Sequence, residues 1–491
     1  MGDIECGRVS KGHPQNVLIL GAGPAGLTAA RSIQRHDTSV DITVFEAGAQ
    51  VGGIARTETH RGFRFDIGGH RFFTKVPRVE RVWIETLGDD FIRVPRLSRI
   101  YYRRQFFDYP LKAFRALRML GLIEAVRIVL SYVYARLRPR QPEISFEDWV
   151  VNRFGLRLYR HFFESYTEKV WGIRPTEIRA DWAAQRIKGL SLISVAWAAL
   201  TGRSTAKSLI EEFDYPRLGP GMVWEALADE LSAHGAEVAM QTKVQRLGHE
   251  NGRITFVETV DHQGTIARHD GPDAVLSSLA LRDLIRMMEP PPPPHVVAAA
   301  EQLTYRDFLI VTLILDHADP FPDNWIYVHD PDVRVGRIQN FRAWSKDMVP
   351  VPGQSAIGME YFCNIGDSLW AASDADLRGL AAHELQSLGL APAQSVVDYK
   401  VIRQPKAYPV YDNAYQDAVQ TLRSWLSGLQ NFQTAGRNGL HRYNNQDHSM
   451  LSAMLAAENL FGASHDVWNV NVERAYHEEF QVDRNTRLAD G

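Results

Sequence analysis

Cysteine is scarce: Cys6 and Cys363 are the only two in 491 residues. Two thiols in so long a chain make no disulfide framework, which fits a reducing, cytoplasmic setting. Long apolar runs are missing as well. Although 45% of the residues are hydrophobic, they never form an unbroken stretch of about 18, the length a membrane-spanning helix needs. Residues 1–15 are polar, without the apolar centre of a secretory signal, and read as a disordered lead-in. Histidine and cysteine never cluster at metal-ligand spacing, so no metal is assigned. An excess of one charge is absent too: the net value of −3 leaves no global pull toward nucleic acid, and none is expected as a partner. No internal repeat is visible. The length allows two or three domains with full cores.

What is present is organised around residues 16–46, which open N-V-L-I-L-G-A-G-P-A-G-L-T-A-A and close D-I-T-V-F-E. The apolar run 17–20 suits a buried parallel strand. Gly21, Gly23 and Gly26 follow, and 27–34 has helical composition. The first glycine allows a tight turn, the second lets the backbone approach a pyrophosphate, and the third lets the helix lie close to the strand. A second apolar run, 42–45, ends at Glu46, twenty residues after Gly26. A carboxylate at that distance accepts both hydroxyls of an adenosine ribose. Strand, glycine turn, helix, strand and acid together predict a dinucleotide site.

Diglycines at 52–53 and 68–69 then permit backbone conformations closed to other residues and a close approach to a flat ligand. Residues 79–213 read as a mostly helical insertion. Within it, 113–137 is one long helix, apolar on one side and basic on the other. Lys112, Arg115, Arg118, Arg127, Arg136, Arg138 and Arg140 face little acid beyond Glu124. Such a helix can lie on a membrane surface or face an anionic substrate, and its plainest use is a solvated charged face. Ser145 with Asp148 has the spacing of a capping box. Residues 213–247 return to the nucleotide domain. Strands are expected over 254–260 and 274–279, joined by a polar loop, and the proline run 290–294 is a stiff linker. Further strands are expected over 308–315, 325–329, 335–341 and 357–362. A short strand ending at Gly436 precedes a buried helix over 449–460, whose N-terminus favours negative charge. The division implied is a discontinuous nucleotide-binding domain (14–78, 214–289 and 430–470), a helical substrate subdomain (79–213) and a sheet substrate domain (295–429).

The acid followed by G-G-x-A-x-T and then F-x-x-D-x-G-G-H resembles the two-domain FAD proteins that include amine oxidases, carotenoid desaturases and UDP-galactopyranose mutases. The fold class implied is α/β, a two-domain FAD-binding Rossmann-type fold of the amine-oxidase kind, with a substrate domain of mixed sheet plus helices. A nicotinamide-only dehydrogenase has no use for the second glycine pair, so FAD is expected rather than NAD. Four stretches are most similar to the eukaryotic-type UDP-galactopyranose mutases. They are G-G-H-R-F-F at 68–73, Y-T-E-K-V-W-G with the D-W-A-A-Q-R-I that follows it, W-I-Y-V-H-D at 325–330 followed by Arg337, and G-R with Y-N-N-Q-D-H-S inside 436–449.

The resemblance implies a role for each matching residue. His70 would sit at the flavin ring, and Arg186 and Arg337 would bind the two phosphates of a nucleoside diphosphate; these three form the expected catalytic set. Gly21, Gly23, Gly26, Glu46, Gly53, Gly69, Val244 (beside the adenine), Gly436, Arg437, Gln446, Asp447 and Ser449 would hold the FAD. Tyr109, Trp171, Tyr327, Tyr408, Tyr443 and Asn445 would line the substrate site. Guanidinium forks suit a diphosphate better than lysines do, and the same groups stabilise it as it leaves. The chain departs from the mutases where a nucleoside would bind: Lys112 stands in place of a glutamine and Thr167 in place of an asparagine.

The activity implied is a flavin-dependent mutase that interconverts pyranose and furanose forms of a nucleotide sugar. Reduced flavin attacks the anomeric carbon through N5, forming a flavin–sugar adduct with no net redox change. NADPH or NADH is the expected reductant. The alternative is an FAD-dependent oxidoreductase of the amine-oxidase or desaturase kind, acting on an anionic or lipid-linked substrate. The base, the sugar and the oligomeric state stay open.

Overall fold

The computed structural model describes residues 13–109, 111, 113–180 and 212–471. Lys112 and Arg186, both singled out above, lie outside the described residues. Asn16–Leu20 is the central strand of a five-stranded sheet in the order Phe432–Thr434, Ala274–Ser277, Asn16–Leu20, Asp41–Phe45, Glu237–Ala239. All four pairings are parallel. A central parallel strand is covered on both faces, and its unbroken apolar sequence reflects that. Val17 and Ile19 enter one core with Leu27, Trp224 and Ala453, whereas Leu18 and Leu20 enter another with Val244 and Leu247. The helix Pro24–His36 packs on Gln446–Leu460 and on Gly221–Ala233. A four-stranded sheet, in the order Ile266–Asp270, Arg253–Val260, Lys243–Glu250, Met288–Glu289, builds the second layer.

The other half of the molecule is a seven-stranded mixed sheet, ordered Val396–Pro409, Tyr305–Leu315, Ser355–Cys363, Arg337–Asn340, Trp325–Val328, Ser98–Tyr102, Gln105–Asp108. Its strands alternate between two environments, as side chains in a strand must. Leu309, Val311, Leu313, Ile326, Ile338, Met359 and Tyr361 pack under the helix Asp374–Ser387 with Leu377 and Leu385. The residues between them, among them Trp325, Phe308, Phe362 and Tyr408, face the other way. That second face carries the site.

Several expectations need correction. The segment expected as mostly helical, 79–213, carries among its described residues the strands Phe91–Pro95, Ser98–Tyr102 and Gln105–Asp108, and the start of Glu212–Pro216. Ser98–Tyr102 and Gln105–Asp108 form a hairpin that completes the large sheet. Its turn is made by Arg103 and Arg104, both left-handed at φ +50° and +59°. Two-residue hairpin turns favour asparagine and glycine at such positions, so the usual turn signal is missing here. The single helix expected over 113–137 is two, Ala113–Leu120 and Leu122–Leu137, broken at Gly121 with φ +90°. The longer of them turns its apolar side outward, the reverse of a solvated charged face. The polar loop expected before 274 holds an exposed edge strand, Ile266–Asp270, paired to Arg253–Val260. The capping box at Ser145 forms as expected.

Candidate functional site

The glycine turn after Asn16–Leu20 is shaped by contacts that tolerate no side chain. Gly21 has φ +101°, and a methyl on Gly26 would lie 1.8 Å from the Gly21 carbonyl oxygen. Gly23 differs: it has an ordinary backbone, and a methyl there meets nothing nearer than 3.9 Å, the Cα of Gly53. Gly53 in turn would place a methyl 3.4 Å from the Gly23 Cα. The two glycines thus leave an open slot at the N-terminus of Pro24–His36, where helix geometry favours phosphate. Glu46 closes one end. Its carboxylate accepts from Ala22 N at 2.9 Å and from Gly48 N at 2.7 Å, leaving lone pairs for a ribose. The backbone at Gln241 and Thr242 donates to Gly48 and Glu46, which brings the buried Val244 to the same end. Gly436, at φ +85°, lies where a methyl would press on Ala25 at 2.9 Å. These donors, acceptors and gaps fit a dinucleotide.

From this cradle the loop 67–73 crosses to the large sheet. His70 anchors it by a 2.8 Å hydrogen bond between Nε2 and the Ile67 carbonyl. Gly69 lies against Gln339, with 3.4 Å from a would-be methyl to Nε2. Gln446, the first residue of Gln446–Leu460, points back and donates weakly to the His70 carbonyl at 3.5 Å, while its own Oε1 is buried without a partner among the described residues. An orphaned acceptor beside the loop is what a hydrogen-bonding ligand would satisfy.

In front of His70 the sheet presents a wall of aromatic rings. Tyr408 stacks on Tyr443 with centroids 5.5 Å apart, and Trp171 meets both edge-on or tilted at 6.3 Å. Tyr109 lies 4.4 Å from Tyr327, and Tyr166 meets Tyr327 edge-on at 6.0 Å. Cations are interleaved with the rings. Arg71 and Arg96 both lie over Trp325, at 5.5 and 5.8 Å, and Arg96 also reaches Tyr109 at 5.7 Å. Arg437 lies 4.9 Å from the Tyr443 centroid while it donates to the carbonyls of Asn444 and Ala407. Arg337 donates to the Tyr408 hydroxyl at 2.7 Å and forms a 2.6 Å ion pair with Glu360, which is fully buried. Gln339 donates to the other oxygen of that carboxylate.

Burial sets the protonation states. His70 is driven down to about 4 by desolvation, helped by the charges of Arg437 and Arg337, so its imidazole is neutral at neutral pH. The phenols of Tyr327, Tyr166 and Tyr408 are pushed above their ordinary value by burial, against the pull of Arg337, and remain hydrogen-bond donors. Burial works against the Arg337 charge, yet Glu360 and the tyrosines outweigh it and hold the guanidinium firmly protonated.

A pH prediction follows from three buried histidines. His70 and His441 sit near 4 and His329 near 3, each lowered from 6.5 by desolvation. The unfolded chain takes up these protons below 6.5 and the folded chain does not, so stability is full above that pH and falls toward 4. Asp66 has the opposite sign: burial raises it from 3.8 to about 7 despite donors from Tyr215 and Thr57, so it favours the folded state as pH drops through 7. The urea midpoint should fall between pH 6.5 and 4, less steeply in His441→Gln and more steeply in Asp66→Asn. A flat profile in all three proteins would refute the assignment.

Of the residues named from the sequence, His70, Arg337, Arg437, Tyr109, Trp171, Tyr327, Tyr408, Tyr443 and Gln446 come together at this wall. Asn445 is exposed and caps the helix Gln446–Leu460, its backbone N–H donating to His448 Nδ1 at 3.3 Å. Asp447 and Ser449 are buried within the helix that packs on Pro24–His36. Sequence reasoning missed Tyr166, Arg71, Arg96, Trp325 and Glu360. Glu360 was the one with a signal: a lone acid in Ser355–Cys363, a strand buried at every position, needs a buried partner.

Residues 19–86 match the model of the NAD(P)-binding Rossmann-like domain family. Reduced UDP-galactopyranose mutase superposes with a TM-score of 0.81 at 20% identity, over 94% of this chain and 97% of that one. Putrescine oxidase bound to putrescine superposes with a TM-score of 0.59 at 14% identity, over 91% and 99%. The fold is the two-domain α/β fold shared by these two enzymes. In sequence, the chain is 24% identical to coproporphyrinogen III oxidase of Mycobacterium tuberculosis (strain ATCC 25618 / H37Rv) over 434 residues, 84% of this chain and 91% of that protein.

Proposed function

We propose that the protein is a flavin-dependent mutase that interconverts the pyranose and furanose forms of a nucleoside-diphosphate sugar, with FAD in the glycine cradle and NADPH or NADH as reductant. The observation that carries this reading is the gathering of Arg71, Arg96, Arg337 and Arg437 among aromatic rings, with Arg337 held by the buried Glu360. Guanidinium forks set among phenols suit a diphosphate. Reduced flavin, when bound, supplies a nucleophile for the anomeric carbon without net redox change.

The chain's own residues then divide the work. Arg337 is paired with Glu360, and Arg71 and Arg96 add further guanidinium forks of the kind a diphosphate binds. The protonated phenols of Tyr327 and Tyr408 donate to its oxygens, an interaction that strengthens as negative charge grows on the leaving group. The neutral His70 shapes the loop over the cofactor and adds no charge. The aromatic wall excludes water from a reaction that hydrolysis would otherwise divert.

A second reading is a flavin-dependent oxidoreductase on a polyanionic substrate, favoured by the sequence likeness to coproporphyrinogen III oxidase. The deciding assay uses anaerobically reduced protein mixed with UDP-, dTDP- and GDP-hexoses, with isomers separated by chromatography. The mutase reading expects a furanose isomer that requires reduced flavin, and a KM raised about tenfold or more in Arg71→Gln, the scale of one lost charge-assisted hydrogen bond. Absence of any isomer, together with oxygen-dependent oxidation of a porphyrinogen, would replace it with the second reading.

A further inference from the structure

The helix Leu122–Leu137 buries little of its own apolar side. Leu122 is 81% exposed, Ile123 73%, Leu130 64% and Leu137 77%, and Val126, Val129, Val133 and Tyr134 are exposed with them. At 3.6 residues per turn these eight positions fall within an arc of about 140° along a helix of about 24 Å. The opposite side holds the helix to the protein. Ile128 and Ala135 are buried there, Ser131 accepts from Arg157 N at 3.1 Å, and Glu124 pairs with Arg157 and His161.

We propose that this helix is a membrane-surface anchor, seating its apolar arc in the outer part of an anionic bilayer. Charge selects that occupant. On the helical wheel Arg127 and Arg138 border one edge of the arc and Arg136 the other, with Arg118 just beyond the N-terminal end. Among the described residues Arg118, Arg136 and Arg138 form no ion pair, and Arg127 has only a loose 3.5 Å approach to Glu124. The one acid of the helix, Glu124, points inward. Apolar residues between arginines whose stems reach outward match lipid tails beneath anionic headgroups. A second copy of the same face would bring arginine edge against arginine edge with no acid to meet them. No described helix is long and apolar enough to cross a membrane; an arc on a helix of this length lies along the surface.

The test is co-sedimentation of the full chain with phosphatidylcholine vesicles, with and without phosphatidylglycerol, at low and high salt. Binding should require phosphatidylglycerol, weaken with salt, and fall about tenfold or more in Leu122→Ser/Leu130→Ser and in Arg127→Gln/Arg136→Gln/Arg138→Gln. Leu130→Trp should show a blue-shifted emission that brominated lipid quenches. No partition onto either vesicle, or partition that the leucine variant leaves unchanged, overturns the proposal. So does a concentration-dependent dimer, abolished by Leu122→Ser/Leu130→Ser, in a protein that ignores vesicles. Bound flavin and the circular dichroism spectrum should match wild type in every variant, since none touches the cradle.

Discussion

Gly23→Val should yield a folded protein that has lost its dinucleotide. The slot beside Gly23 is open, with Gly53 the nearest neighbour at 3.9 Å from an added methyl, and the backbone there sits at φ −80°, where any residue is comfortable. A branched side chain therefore fits the empty protein and fills the space a pyrophosphate would enter. The cost to the fold is a poorer helix N-cap, about 1 kcal/mol. The cost to binding should be about a hundredfold or more, ~3 kcal/mol at about 1.4 kcal/mol per factor of ten. Gly26→Val is the contrast: its side chain would start 1.8 Å from the Gly21 carbonyl oxygen, so this variant should not fold. Flavin absorbance of the purified proteins, read beside their circular dichroism, separates the two. Retained flavin in a folded Gly23→Val protein would mean that the cofactor lies elsewhere.

Removing one partner of the Arg337–Glu360 pair should destabilise the protein more than removing both. Glu360 is fully buried, and its two oxygens are taken by Arg337 and Gln339. Arg337→Met leaves that carboxylate without its counter-ion, at a cost of ~3–5 kcal/mol. Glu360→Gln instead leaves the guanidinium to Tyr408 alone, a smaller loss because Arg337 is partly exposed. The double variant Arg337→Met/Glu360→Gln should recover most of the stability, since replacing a buried ion pair whole is often close to neutral. On the proposed function, affinity for a nucleoside-diphosphate sugar should fall in Arg337→Met and stay low in the double variant. A denaturant titration of the three proteins measures the coupling. Additive losses would mean that the pair is solvated in solution.

The nucleotide half was legible in the sequence because its rules are local. Gly21, Gly23 and Gly26 lie close together in the chain, and Glu46 follows directly after the neighbouring strand Asp41–Phe45. The large sheet was harder to read. Its strands at 305–315 and 355–363 were visible as apolar runs, but the hairpin at 98–108 turns on two left-handed arginines that carry no turn signal. The 14-residue strand Val396–Pro409 alternates charge with apolar residues and gave no clear run. The cleft itself is a product of pairing: Arg337 and Glu360 are cross-strand neighbours, although 23 residues separate them in the chain. Tyr166 reaches the cleft from a helix that carries a π-type turn just before it, at Arg160–Glu164, a register change that composition does not announce.

The loop 67–73 is fastened at both ends of the gap. Its Gly69 rests on Gln339 and its Arg71 on Trp325 in the large sheet, while the His70 carbonyl meets Gln446 and Phe72 stacks on Trp83 at 4.2 Å on the nucleotide side. On the proposed function, these contacts would hold the loop against the flavin ring. In kinetic terms, the residence time of the proposed cofactor would then follow the opening time of the loop. An occupant of the cleft that braces Arg71 should lengthen it, so the two ligands would be linked through a rate as well as an affinity.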